Sequence, residues 1–434
     1  MKFLGNFQVA YKQVRLGDYF KFEKGLGYKG EFLAEESDVA MIGMDSHNDG
    51  GGYKDNSEKP YSGPFKPEHV AEVGDVIFAA TEQGFGLLAS PLIVPESDKF
   101  QTFIFSHHVL KAFPMKEGFS TEYLYNIFRV DRFRAKAAYG DTGTTVRALP
   151  SEVLAEQMVP LPDLPTQQAI NEMVALIDQQ IFNNKELSKS LESLAHAMFK
   201  SWFVDFDPVH AKSKGEIPFG MDESTAALFP STFEGSEIGE IPKGWKLEKL
   251  GEVATLLMGQ SPPGHTYNEN GVGLPFYQGR TDFGTRFPDV RVFCTVQNRT
   301  ANVGETLVSV RAPVGDINQA IQKCVIGRGV AAILHKSQSE VYTYSLMRHL
   351  NHALSHFNGE GTVFGAINRN EFESLTVVEP QENLIKKFED ILGHTNREIR
   401  ELYINTRTLE KVQKELLYSL INGLIQIPQE LVAS

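Results

Sequence analysis

The chain has 434 residues, 41% of them hydrophobic and 22% charged, with a formal net charge of −13 at pH 7. Such a length allows roughly two to four domains with ample core, and the balance excludes a chain disordered throughout. Two cysteines, Cys294 and Cys324, cannot make a disulfide framework and lack the close paired spacing of a zinc site, so a reducing cytoplasm fits best. The N-terminal run MKFLGNFQVAYKQ is cut by Asn6 and Gln8, and no window of about twenty apolar residues exists. Neither a secretion signal nor a membrane span is expected.

Acid is spread unevenly. Residues 1–160 carry 17 Lys and Arg against 22 Asp and Glu, residues 204–244 carry 3 against 8, and residues 245–380 carry 12 against 12. A chain so charged would hold DNA weakly by itself, and a basic partner would have to supply the backbone affinity.

From Val14 to about Pro162 the pattern is one of short strand-like runs with turns: VRLGDYFKF, then VGDVIFAAT (73–81), then FIFSHHVLKAF (103–113). A helix is expected over 120–139, capped by Ser120 or Thr121, with Tyr123, Leu124, Ile127, Phe128 and Phe133 turned inward. Residues 140–162 read as a Gly/Thr loop, a short helix and a closing strand. This is α+β rather than repeating βαβ.

A long helix follows from Thr166 to Phe203. Its seam is Ile170, Val174, Ile177, Ile181, Asn184, Ser188, Leu191, Ala195, Met198 and Trp202, a seven-residue period rather than the broad stripe of a surface helix. At 1.5 Å per residue it would be on the order of 55 Å long, more than one compact domain needs. A spacer that seeks another helix is the natural reading. Residues 206–244 read as a linker with one short helix near Ser224 to Phe229. The pattern then restarts. Leu250-Gly251 matches Leu16-Gly17, Val303-Gly304-Glu305 matches Val73-Gly74-Asp75, and GTVFGAINRNEFESLTVVEP (361–380) matches GTTVRALPSEVLAEQMVPLP (143–162). Shifting by 218 residues also finds a second seam: Phe388, Leu392, Thr395, Ile399, Leu402, Thr406, Leu409, Gln413, Leu416 and Leu420.

The expected fold class is therefore α+β: two globular domains of mixed short strands and helices, with two long antiparallel coiled-coil spacer helices and an internal pseudo-twofold repeat. Two similar but unequal heads held at a fixed distance would meet successive major grooves of double-stranded DNA, on a bipartite, asymmetric, gapped target. The same axis would offer near-equivalent surfaces to two copies of one partner. Ser188, Thr406, Asn184 and Gln413 inside the seams would set register. A rival reading is a coiled-coil adaptor that assembles subunits without itself reading sequence, since heptad seams more often mark scaffolds than DNA rulers.

The runs MFKSWFVDFDPVHAK (198–212), LFP (228–230), SEIGEIPKGW (236–245), MGQSPPG (258–264) and SVRAPVGDIN (309–318) closely resemble specificity subunits of type I restriction-modification enzymes. The resemblance covers nearly the whole chain. It implies a layout of target-recognition domain 1 over 1–162, spacer helix 1 over 163–205, a linker over 206–244, target-recognition domain 2 over 245–380, spacer helix 2 over 381–426, and a tail over 427–434. It further implies a non-catalytic cytoplasmic subunit that docks two copies of the methyltransferase (modification) subunit and, through them, restriction subunits. The complex would be an adenine-N6 DNA methyltransferase and ATP-dependent endonuclease. S-adenosylmethionine, ATP and Mg²⁺ are expected in the partner subunits, with no cofactor in this chain. Thr81 stands where the second domain has Arg311, so half-site identity does not transfer from relatives.

Catalytic motifs are missing from the sequence. An amino-methyltransferase needs an Asn/Asp-Pro-Pro-aromatic turn to hold a flipped base, and Ser261-Pro262-Pro263-Gly264 has only the prolines. Gly25-Leu26-Gly27-Tyr28-Lys29-Gly30 matches G-x-G-x-x-G but lacks the βαβ setting that a dinucleotide site requires. No Walker A motif occurs, and no metal site is expected. His107 and His108, adjacent on a strand, would point to opposite faces.

For DNA contact the candidates are basic, amide and hydroxyl residues on loops and one helix. Arg129, Arg132 and Lys136 fall at i, i+3 and i+7 of one expected helix face, placed to track phosphates. Thr144, Thr145 and Arg147 belong to a Gly/Thr loop that could donate to a phosphate. Gln278, Arg280 and Arg286 lie in a Gly-rich loop and Arg311 precedes a Pro-Gly loop; Arg to guanine and Gln to adenine are the favoured base-edge pairings. For the helix face a solvated surface is the competing explanation and for the Gly/Thr loop a tight turn, while two of Gln278, Arg280, Arg286 and Arg311 are expected to reach bases.

Overall fold

The structure is a computed structural model, and it describes residues 11–54, 56–82, 86–138, 147–358 and 365–427. The chain divides into two units, Met1–Asn183 with Thr406–Ser434, and Asn184–Asn405. Each unit holds one strand-rich domain and a stretch of both long helices, so the division falls inside the helices and not at their ends.

The first domain is built on two small sheets. One is antiparallel, in the order Phe20–Lys24, Val109–Pro114, Val76–Ala79, Pro91–Ile93. The other runs Lys59–Pro60, Val39–Ile42, Thr102–Phe105, Val70–Ala71, and its central pair, Val39–Ile42 with Thr102–Phe105, is parallel. The ribbon Lys12–Arg15 with Met158–Leu161 ties the two ends of the domain together. The helix Thr121–Arg129 starts at Ser120, whose hydroxyl accepts from the Tyr123 amide. Tyr123, Leu124, Ile127 and Phe128 are fully buried and Phe133 nearly so, as their spacing predicts.

The second domain repeats this plan. Its antiparallel sheet is Ala254–Met258, Val330–His335, Thr306–Val310, Val314–Gln319, and its second sheet again has a parallel central pair, Leu274–Tyr277 with Cys324–Ile326. Lys246–Lys249 with Thr376–Glu379 repeats the closing ribbon. The repeated glycines have local causes. Gly74 and Gly304 turn at φ of +91° and +86°, a conformation other residues adopt at a cost. A Cβ on Gly25 would lie 1.9 Å from the Phe105 carbonyl oxygen, and one on Gly259 would lie 2.2 Å from that of Gly327. Gly25 of the G-x-G-x-x-G run thus serves a close backbone approach, and a short 3-10 turn over Gly30–Phe32 takes the place of the helix a dinucleotide site would need.

Two expected runs divide differently. FIFSHHVLKAF is not one strand: it turns at Ser106–His108 and sends Thr102–Phe105 and Val109–Pro114 to different sheets. VRLGDYFKF is likewise split by a 3-10 turn over Leu16–Asp18. Within 206–244 the structure adds a helix, Asp207–Ser213, and a hairpin, Phe233–Ser236 with Gly239–Pro242, beside the short helix Glu223–Ala227 capped by Asp222.

Both long helices have 40 residues, Leu164–Phe203 and Glu382–Ile421. In the first unit Ile170 and Val174 share one core with Leu417, Leu420 and Ile421, start against end, so the helices run antiparallel there. In the second unit Ala195, Phe199, Trp202 and Phe203 meet Leu384, Ile385, Phe388 and Leu392 in the same sense. An edge-to-face cluster closes this end, with Trp202 to Phe229 and Phe203 to Phe388 each at 5.2 Å between ring centroids. Every seam residue is buried or half-buried, including Ile177, Ile181, Leu191, Met198, Ile399, Leu402, Leu409 and Leu416.

Candidate nucleic-acid interface

Three of the candidate arginines hold the fold together. Arg129 makes two hydrogen bonds to the Asp178 carboxylate, at 2.6 and 2.8 Å, and a third to the Gln413 side chain at 2.9 Å; Gln413 in turn donates to Asp178 at 2.7 Å. Both partners lie on the long helices of the same unit, so Arg129 is a clamp between domain and helix and not a phosphate contact. Arg286 is only 6% exposed, donates to Gln319 and Asn396, and lies 3.3 Å from the centroid of the Tyr344 ring. It is removed from any base. Arg147 donates to the buried Glu82 carboxylate at 2.6 Å and to the Ala138 carbonyl, while Glu82 also accepts the Leu87 and Leu88 amides.

The expected basic helix face is also broken. The first helix ends at Arg129, Val130 is extended with ψ 118°, and a second helix, Asp131–Ala138, carries Arg132 and Lys136. Arg132 lies over the Phe133 and Tyr418 rings and stays exposed. Lys136 is exposed as well. Thr144 and Thr145 lie outside the described residues.

What the fold does bring together is a rim at the same end of each domain. In the second domain the amide of Gly327 donates to the Tyr277 carbonyl, that of Val310 to Gly329, and that of Gln260 to Ile326. These bonds weave the loops that start at Gly259, Gln278, Arg311 and Gly327 into one surface, from which Gln278, Arg280, Arg311 and Arg328 emerge exposed. Arg280 forms an ion pair with Asp316 at 2.6 Å. Arg311 and Arg328 have no ion pair among the described residues. Arg328 escaped the sequence reading, although an arginine between two glycines in a run of strand-formers is a usable signal.

The first domain has the same weave. The amide of Ser106 donates to Ile42, that of Ala80 to His108, and that of Leu26 to Phe105. Position by position, Thr81 then corresponds to Arg311 and His107 to Arg328. A pocket of about 190 Å³ opens at this rim, lined in part by Tyr28, Asp45, Lys59, Thr81 and His108. Lys59 binds Asp45 at 2.7 Å, which holds the Asp45 carboxyl below its ordinary range and raises the lysine. The Thr81 hydroxyl lies 3.1 Å from His108 Nδ1, and burial lowers the pKa of that imidazole. The His107 and His108 rings are 3.9 Å apart. Opposite faces were expected for a strand, but both residues occupy a turn. Neither Asp45 nor Lys59 was singled out by sequence, and His107 was read there only beside His108 as part of a strand, because only the sheet topology joins segments so far apart in the chain.

Among the described residues no cluster of three or more His, Cys, Asp or Glu could hold a metal ion, and no helix is long and apolar enough to cross a membrane.

No protein-family model matches the chain. A protein of Methanocaldococcus jannaschii named as the MjaX type I restriction enzyme specificity subunit is 27% identical over 391 residues, covering 85% of this chain and 83% of its own. The HindI specificity subunit of Haemophilus influenzae is 23% identical over 320 residues, with 61% and 68% covered. Among solved structures, the S subunit of a type I restriction-modification system from M. genitalium is 13% identical and matches with a TM-score of 0.58 over 98% of both chains. That likeness shows a shared fold.

Proposed function

We propose that this chain is the DNA sequence-specificity subunit of a type I restriction-modification complex, binding a bipartite, gapped, asymmetric target in double-stranded DNA. The observation that carries the reading is the doubled domain: one scaffold, woven by the same hydrogen bonds, presents two chemically different rims. A scaffold built twice with unlike loops is what reading two unlike half-sites requires, because loops carry function on a fixed frame. The similarity to named specificity subunits over most of the chain points the same way.

Residues 1–162 then form one target-recognition domain and 245–380 the other, with 163–205 and 381–426 as spacer helices, 206–244 as linker and 427–434 as tail. The chain is a non-catalytic cytoplasmic subunit that binds no cofactor. Two methyltransferase subunits dock on it, restriction subunits join through them, and S-adenosylmethionine, ATP and Mg²⁺ act in those partners. Adenine-N6 methylation and ATP-dependent cleavage belong to the assembled complex.

The test is to co-express the chain with its cognate methyltransferase subunit and map methylated adenines across the host genome. Two short motifs separated by a fixed unspecified gap are expected. Methylation scattered without a motif would leave the adaptor reading in its place.

A further inference from the structure

The rims can be taken further than their shared position. Each carries an exposed or half-exposed ion pair, Asp45 with Lys59 and Arg280 with Asp316, beside the turn that holds His107 or Arg328. The polarity of the pair is reversed between the domains. In the first, the acid sits on the 3-10 turn Met44–Ser46 that follows the parallel strand, and the base arrives from the neighbouring strand Lys59–Pro60. In the second, the 3-10 turn Arg280–Asp282 supplies the base, and the acid arrives from Val314–Gln319. A donor beside an acceptor matches what the major-groove edge of a base pair presents: guanine O6 beside the cytosine amino group, or adenine N7 beside its own amino group. Because the two opposite charges stay side by side, each can add a hydrogen bond to a base edge without leaving a lone desolvated charge.

We infer that these two ion pairs, together with His107 and Arg328 at the matching turn, are the specificity-determining residues of the two half-sites. The inference rests on the proposed DNA-reading role and deepens it. The second domain, with Arg280 and Arg328, reads guanine in its half-site, since bidentate arginine on O6 and N7 is the commonest specific contact. The first domain reads through Lys59 as donor and Asp45 as acceptor, with a histidine where the second has its arginine. Arg311 stands apart, as it is matched by the short Thr81.

The experiment uses full-length chain assembled with its methyltransferase subunit, acting under limiting conditions on a plasmid library randomised over both half-sites. Wild-type assembly gives the reference motif; the absence of any bipartite motif would overturn the proposed function itself. Arg328→Ala and Arg280→Ala are each expected to relax a guanine in one half-site, with discrimination at that position falling roughly 5- to 150-fold, and to leave the other half-site unchanged. Lys59→Met and Asp45→Asn should alter only the opposite half-site. All four positions are exposed or half-exposed, and unchanged melting temperatures would confirm that the variants fold. A clear wild-type motif kept base for base in all four folded variants, with methylation merely weaker at every site and less steeply salt-dependent, would show phosphate contacts instead and overturn the inference while leaving the function standing.

Discussion

Arg129 and Arg286 occupy corresponding places in the economy of their units. Asp178 and Asn396, the helix residues they bind, are separated by the same 218 positions that relate the two seams. Each domain is thus locked by an arginine to an equivalent position of the long helix that follows it. Truncating Arg129 to alanine takes the donor from the Gln413 side-chain oxygen and the cation from the half-exposed Asp178, which keeps only the Gln413 amide, and a loss of about 1–3 kcal/mol is expected, below the range for a fully buried pair. Arg286→Lys should be nearly as damaging as Arg286→Ala, because an ammonium keeps the charge but not the planar stack on Tyr344. Denaturant unfolding of the full chain measures both; a lysine variant as stable as wild type would contradict the stacking argument. These roles were illegible in the sequence, where an arginine that clamps and an arginine that reads look alike. His47 offers a separate test. Burial depresses its pKa to about 4, and both ring nitrogens face carbonyls, those of Gly43 and Ile77. A histidine lowered in the fold stays neutral while the unfolded chain takes up a proton, so stability is whole above the ordinary value of 6.5 and is lost as pH falls toward 4. The loss should approach roughly 3 kcal/mol, and a melting-temperature profile between those pH values should flatten in His47→Gln.

At the scale of elements, the long helices were the most legible part of the chain. A seven-residue period sustained over 40 residues leaves few alternatives, and every seam position is at least half-buried. What the period could not show is where the seam widens: Phe199, Phe203, Leu384, Ile385, Leu417 and Ile421 are buried as well, because at those ends the helices pack on a domain as well as on each other. Short apolar strands were harder to bound, since a continuous apolar run looks the same whether it stays in one sheet or turns into another. The turn at Ser106–His108 is such a case, and it carries half of one rim. Val174 and Leu392, 1% and 2% exposed, are equivalent positions in the cores of different units. Val174→Asp and Leu392→Asp each bury a charge without a partner, a change expected to cost several kcal/mol. Proteolysis should then open the unit that carries the change first. Equal and undiminished protection in both variants would mean that the helices are not part of the domain cores.

For the whole molecule, the charge of −13 and the proposed DNA target have to be reconciled. Phosphate neutralisation supplies most non-specific affinity, and of the ten residues first considered for DNA contact, Arg129, Arg147 and Arg286 are spent on internal hydrogen bonds. On the proposed reading, base readout and backbone affinity would be divided between subunits, the chain choosing the site and its partner holding the duplex. Two consequences can be measured together. Alone, the chain should bind a cognate duplex weakly, and adding the methyltransferase subunit should raise both the affinity and the steepness of its salt dependence. Exchanging residues 245–380 for the corresponding domain of a relative should then replace one half of the methylated motif and preserve the other half. If the exchanged chain assembles with the methyltransferase and the motif does not change, sequence choice resides in the partner, and this chain is an adaptor whose doubled domains only present two docking faces.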